Sequence, residues 1–153
     1  MKAYLTAFAL AAVFAQPAAA VTFPTLTTIY VAAGVYDDGG DENLGFASTV
    51  SCSNVSGVTT SIRVLVLNNV GAVEASVTNF SVQHGTSIRF STHDTTLPLE
   101  TNLATGAVPN GVFNVEALQS AVFCTFDRVS AVDPVSGVPL HAIRVNPHPG
   151  TVE

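Results

Sequence analysis

Apolar and polar residues alternate with a period of two through most of the chain from residue 28 onward, the pattern of strands that bury one face. Ile29, Val31, Ala33 and Val35 share one side of a first strand, and Phe46, Ser48, Val50 and Cys52 one side of a second. Ile62, Val64 and Val66 oppose Ser61 and Arg63 in a third, and Ala72 to Thr78 continues the alternation. Ile88 and Phe90 alternate with Ser87, Arg89 and Ser91, as Phe113, Val115 and Ala117 do with Asn114 and Glu116. Val122, Cys124 and Phe126 then line up, and a last strand is predicted near Val138 to Val145. No helical period is sustained after residue 20.

Turn-forming residues separate these runs. Asn68-Asn69-Val70-Gly71, Gln83-His84-Gly85, Pro109-Asn110-Gly111 and Asp133-Pro134-Val135-Ser136-Gly137 tolerate positive φ or preset a bend. Residues 92–110 are less regular and read as a long connection with a short edge strand. Short strands punctuated in this way predict an all-β fold, an antiparallel two-sheet sandwich.

The first twenty residues carry a different message. Met1-Lys2 is a short positive start, Ala3 to Ala15 is almost wholly apolar, and Ala18-Ala19-Ala20 offers a small-residue cleavage site before Val21. Residues 1–20 therefore read as a signal peptide and 21–153 as a single domain, secreted or periplasmic. The apolar run falls short of the roughly twenty residues a membrane span needs. With Lys2 in the leader, Arg63, Arg89, Arg128 and Arg144 face eleven carboxylates, a balance that excludes nucleic acid and disfavours an anionic membrane surface.

Cys52 and Cys124 are the two cysteines, and in an exported chain an even count reads as a disulfide. Each shares its strand face with core residues, so the expectation is one inter-sheet bridge on an immunoglobulin-like plan. Two features of that plan are missing: the chain has no Trp, and Val122 stands where a tyrosine corner would place Tyr.

The segments Phe46-Ala47-Ser48-Thr49-Val50-Ser51-Cys52-Ser53-Asn54, Phe90-Ser91-Thr92, Val122-Phe123-Cys124 and His141-Ala142-Ile143-Arg144-Val145-Asn146-Pro147-His148-Pro149-Gly150-Thr151 resemble those of small uncharacterised exported bacterial proteins. The resemblance implies a lone β-sandwich domain with one disulfide. It implies no activity, ligand or catalytic residue.

Candidate chemistry is sparse. Asp37, Asp38, Asp41, Glu42 and Asn43, with Gly39 and Gly40 between them, offer the oxygens calcium needs, but Gly39 takes the place of the second EF-hand ligand and no Glu closes a twelve-residue loop. The stretch therefore reads as a solvated turn between strands. His84, His93, His141 and His148 lack the paired spacing of a zinc site and read as surface or turn residues. His93-Asp94 could join a serine in a hydrolytic triad, but no Gly-x-Ser-x-Gly elbow is present. Asn54-Val55-Ser56 and Asn79-Phe80-Ser81 match the glycosylation sequon.

No catalytic, cofactor-binding or metal-binding residue is assigned from the sequence, and no cofactor is expected. The expectation is an exported non-enzymatic module that contacts another envelope or extracellular protein or serves as a surface component. The alternative is a ligand-binding, calcium-binding or hydrolytic sandwich using the acidic loop or the histidines, decided by whether His93, Asp94, His141 and His148 converge.

Overall fold

The computed structural model describes residues 20–145. Residues 1–19 and the stretch from Asn146, with His148, lie outside the described residues, and so does the expectation of a signal peptide. Ten strands run in order among the described residues: β1 (Thr22–Asp37), β2 (Phe46–Asn54), β3 (Thr60–Leu67), β4 (Val73–Val82), β5 (Ser87–Ser91), β6 (Glu100–Asn102), β7 (Val108–Gln119), β8 (Val122–Ser130), β9 (Val138–Pro139) and β10 (Ala142–Arg144). They form two five-stranded sheets, β10-β1-β7-β3-β4 and β6-β5-β2-β8-β9. Every pairing is antiparallel except that of β5 with β6.

Alternation translates directly into burial where the backbone is regular. In β3, Ile62, Val64 and Val66 are fully buried while Ser61, Arg63 and Leu65 are partly exposed. Such burial contributes about 1.5–3 kcal/mol per large aliphatic side chain. Phe113, Val115 and Ala117 of the neighbouring β7 are likewise buried. From the other sheet come Val50, Cys52, Phe90, Val122 and Phe126, so both sheets feed one core. Phe126 ties them together, its ring 5.7 Å from that of Tyr30 and 6.2 Å from that of Phe113.

Strand β1 departs from the expected face. Ile29, Ala32 and Val35 are its buried apolar residues, whereas Ala33 is exposed and Val31 half-buried. Its register against β7 slips between Thr28 and Tyr30 and again between Ala33 and Val35, where Gly34 has φ of +85°. Each bulge adds a residue and resets which side chains point inward.

Three other expectations are corrected. Pro109-Asn110-Gly111 is no turn but part of β7, and Gly111 serves a close approach: a Cβ there would lie 2.8 Å from the Leu67 carbonyl oxygen and 2.7 Å from Val108. The last strand is two short pieces in different sheets, β9 beside β8 and β10 beside β1. The disulfide does not join the sheets. Cys52 and Cys124 face each other directly across neighbouring strands β2 and β8, with Cα atoms 4.1 Å apart, the closeness of a non-hydrogen-bonded antiparallel pair. Both do meet the core, Cys52 within it and Cys124 against it. A shared inward face is common to cross-strand and cross-sheet partners, so facing could not distinguish the two.

Candidate functional site

Strand β1 carries its ladder as far as Asp37, paired with Val108, and thereby drives a carboxylate into the protein: Asp37 is 1% exposed. A buried carboxylate needs partners. Asp37 Oδ1 accepts the Gly39 N–H at 2.7 Å, and Oδ2 lies 2.7 Å from His93 Nδ1. Asp38, exposed beside it, accepts the N–H of Gly40 at 3.1 Å through Oδ1 and that of Phe46 at 3.0 Å through Oδ2. The stretch between β1 and β2 is thus a folded turn whose first two carboxylates hold its own backbone, and the expectation of a wholly solvated excursion is corrected at Asp37. Asp41 and Glu42 remain exposed.

The opposite wall of this turn comes from the segment after β5. Thr92 extends the pairing beside β2, its N–H bonded to the Ser48 carbonyl and its Oγ1 accepting the Ser48 N–H, both at 3.0 Å. That places His93, 8% exposed, against the turn, where Nε2 meets the Leu44 carbonyl oxygen at 2.9 Å. The next residue joins in, as Asn43 N–H donates to the Asp94 carbonyl at 3.0 Å. Gly45, at φ of +76°, closes the turn over Asp38, and any Cβ there would strike both carboxylate oxygens of Asp38.

Asp37, Asp38 and His93 bring ligand-type atoms within 4.8 Å of one another. Their bonding capacity is already directed elsewhere. All four carboxylate oxygens accept hydrogen bonds, and both imidazole nitrogens face acceptors. With Nδ1 against the Asp37 carboxylate and Nε2 against the Leu44 carbonyl, neither ring nitrogen is aimed at a substrate or nucleophile. The arrangement is a clasp between two chain segments.

The other histidines stand apart from it. His84 Nδ1 accepts the Gly57 N–H at 3.1 Å, and His141 is exposed between β9 and β10. Among the described residues His93 is grouped with the two aspartates and not with Asp94 and His141. His93 itself was read as a surface or turn residue and is instead buried; nothing in its sequence neighbourhood marks the carboxylate it meets.

Asn54, the first sequon residue, is fully buried. Its Nδ2 donates to the carbonyls of Val58 at 2.7 Å and Val82 at 2.9 Å, while Oδ1 accepts the N–H of Ser56 at 3.0 Å and its hydroxyl at 2.7 Å. The amide is fully used in joining the β2–β3 turn to the end of β4.

The outer face of the β2–β5–β8 sheet carries a polar concave surface, a trough of about 340 Å³. Its floor is polar, formed by Thr49, Ser51, Arg89, Thr125 and Asp127. Arg89 Nε donates to Ser51 Oγ at 2.9 Å. Leu97 stands on one bank and Pro134 and Val135 on the other. Glu100 stiffens the first bank by accepting the Thr95 N–H and, at 2.8 Å, its hydroxyl. Beyond it Leu99, at φ of +58° and 95% exposed, lines an adjoining hollow that shares Ser51 and Arg89 with the trough, and on the far bank Val135 is 88% exposed. A left-handed leucine presented to solvent is an unusual use of an apolar side chain. Sequence reading marked 92–110 only as irregular and 133–137 only as a turn.

No helix among the described residues is long and apolar enough to cross a membrane. No family model, curated protein or solved structure matches the chain.

Proposed function

We propose that this chain is an exported, immunoglobulin-like β-sandwich module that works without catalysis, by gripping an envelope or extracellular protein. The observation that carries the reading is the trough banked by Val135 together with the adjoining hollow, lined by Leu99, that shares Ser51 and Arg89 with it. Two exposed apolar tips on either side of a polar strip containing Ser51 and Arg89 give the mixture found in contact surfaces, apolar anchors beside polar groups that set orientation. The exposed leucine gains nothing from the fold at its position; covering it with a partner would bury most of its surface. Against the hydrolytic alternative, the buried His93–Asp37 pair has both ring nitrogens committed to holding the turn.

A photo-reactive residue placed at position 99, at 135, or at Val70 as an exposed apolar control on the other sheet tests the reading in the native source. One discrete adduct from positions 99 and 135, absent from position 70, is the expected result. Equal labelling from all three, or none, would sink it.

A further inference from the structure

Where β1 ends, the two sheets part and leave a groove of about 400 Å³ lined by Tyr36, Phe46, Arg128, Ser130, Ser136 and Val138. Its floor follows from register. Phe46 pairs with Ser130, and Arg128 stands between Ser48 on β2 and Val138 on β9. The two-residue period puts Arg128 on the same side of β8 as Phe126 and Val122, the side that faces the core. Tyr36 comes from the opposite sheet, and Ser48 Oγ fixes it by bonding both its N–H and its carbonyl oxygen at 2.8 Å. The Arg128 guanidinium carbon lies 5.6 Å from the centre of the Tyr36 ring.

Each of the other arginines donates to a protein partner: Arg63 to Glu116, Arg89 to Ser51 and Arg144 to Tyr30. Among the described residues the side chain of Arg128 makes no hydrogen bond or ion pair, although the chain has eleven carboxylates. No acidic residue lines the groove. Asp38, bonded to the Phe46 backbone, already accepts two N–H groups. A guanidinium stacked on an aromatic ring keeps its N–H edge for a planar bidentate acceptor, and a carboxylate matches that fork. The remaining walls combine Phe46, 51% exposed, and Val138, 57% exposed, with the hydroxyl side chains of Ser130 and Ser136. The volume is in the range of small-molecule sites, about 300–1,000 Å³. A single cation without a backbone nest suits a monocarboxylate better than a phosphate.

We propose that this groove binds a small aromatic carboxylate, its anion on Arg128 and its ring between Phe46 and Val138. The site is separate from the trough and independent of that reading. The competing account is that Arg128 is an inward-turned charge guarding an edge, since β9 covers only Asp127 and Arg128 of β8.

The test is an amide NMR titration of the purified protein with phenylacetate, with phenylacetamide and acetate as the arms lacking charge and ring. Saturable shifts confined to residues around Phe46, Arg128 and Val138 with phenylacetate, at least about tenfold weaker with either control, are expected from a charge-assisted pair. Arg128→Gln should weaken phenylacetate by a similar factor, and Phe46→Ala should weaken it while retaining the preference over phenylacetamide. Arg128→Lys, which keeps the charge but not the fork, serves if the glutamine variant does not fold and should also lose affinity. Absence of saturable shifts, or equal binding by the Arg128 variants, would overturn the proposal and leave Arg128 as an edge guard.

Discussion

His93 Nδ1 stands 2.7 Å from Asp37 Oδ2, joining the last residue of β1 to the segment that follows β5 across 56 positions of chain. The side chain of Asp37 is wholly enclosed and that of His93 nearly so. One contact therefore closes the turn between the first two strands and ties the sheet of β1 to the flank of the other sheet.

Removing one partner of this pair leaves the other buried without its hydrogen bond, a loss of about 1–3 kcal/mol. His93→Ala leaves the fully enclosed Asp37 carboxyl in that position, and a loss of this size is expected. Thermal unfolding should show a drop of many degrees, and a protease should cut near Gly39-Gly40 faster than in wild type. A variant that melts with wild type would mean that the contact is incidental.

Calcium should leave the protein unchanged. The oxygens of Asp37 and Asp38 accept backbone N–H groups and His93, so an ion would have to displace them. A bound ion at a hundredfold excess over its dissociation constant would add about 2.7 kcal/mol by mass action. Melting curves in millimolar calcium and in chelator are expected to coincide. A rise of several degrees, abolished when Asp37, Asp38, Asp41 and Glu42 are changed to Asn or Gln, would make the turn a calcium site.

Asn54→Ala strips four hydrogen bonds from a fully buried position and takes the amide donor from the Val82 carbonyl, while the Val58 carbonyl keeps the Ser56 hydroxyl at 3.1 Å. An orphaned buried group costs about 1–3 kcal/mol, and a loss of that order is expected in chemical denaturation. Expression in a glycosylating host should leave Asn54 unmodified, which peptide mass mapping would check; a glycan there would show that the turn opens.

Replacing Cys52 and Cys124 together by Ala should lower stability by up to about 4 kcal/mol, as expected for reopening a loop of 72 residues. Titration of the native protein under denaturing, non-reducing conditions should find no thiol. Two titratable thiols, or an unchanged melting temperature in the variant, would contradict a bridge that stabilises.

The fold was legible from sequence where alternation runs unbroken. Ile62, Val64 and Val66 in β3 and Phe113, Val115 and Ala117 in β7 point inward as their spacing predicts, because a regular pleat leaves no other choice. It failed at Val31 and Ala33, since the bulges around β1 answer to pairing with β7 and have no local signal beyond Gly34. Gly111 shows the same limit: a glycine after Pro and Asn signals a turn, yet here it admits a neighbouring carbonyl. Asp37 was visible as an acid but not as a buried one, because its partner arrives from residue 93. The trough and the groove depend on which strands lie side by side, and strand order is not encoded in any one strand.

The position of Cys52 and Cys124 as direct neighbours has a consequence for how the chain checks its own assembly. Side chains alternate between faces, so a slip of one residue between β2 and β8 would put the two sulfurs on opposite sides of the sheet. Oxidation then becomes a proofreading step: the bond closes on the correct alignment and excludes the nearest wrong one. Once formed, it holds β2 and β8 in a single frame, so that β5 and β9 on either side pair with strands that can no longer slip past each other.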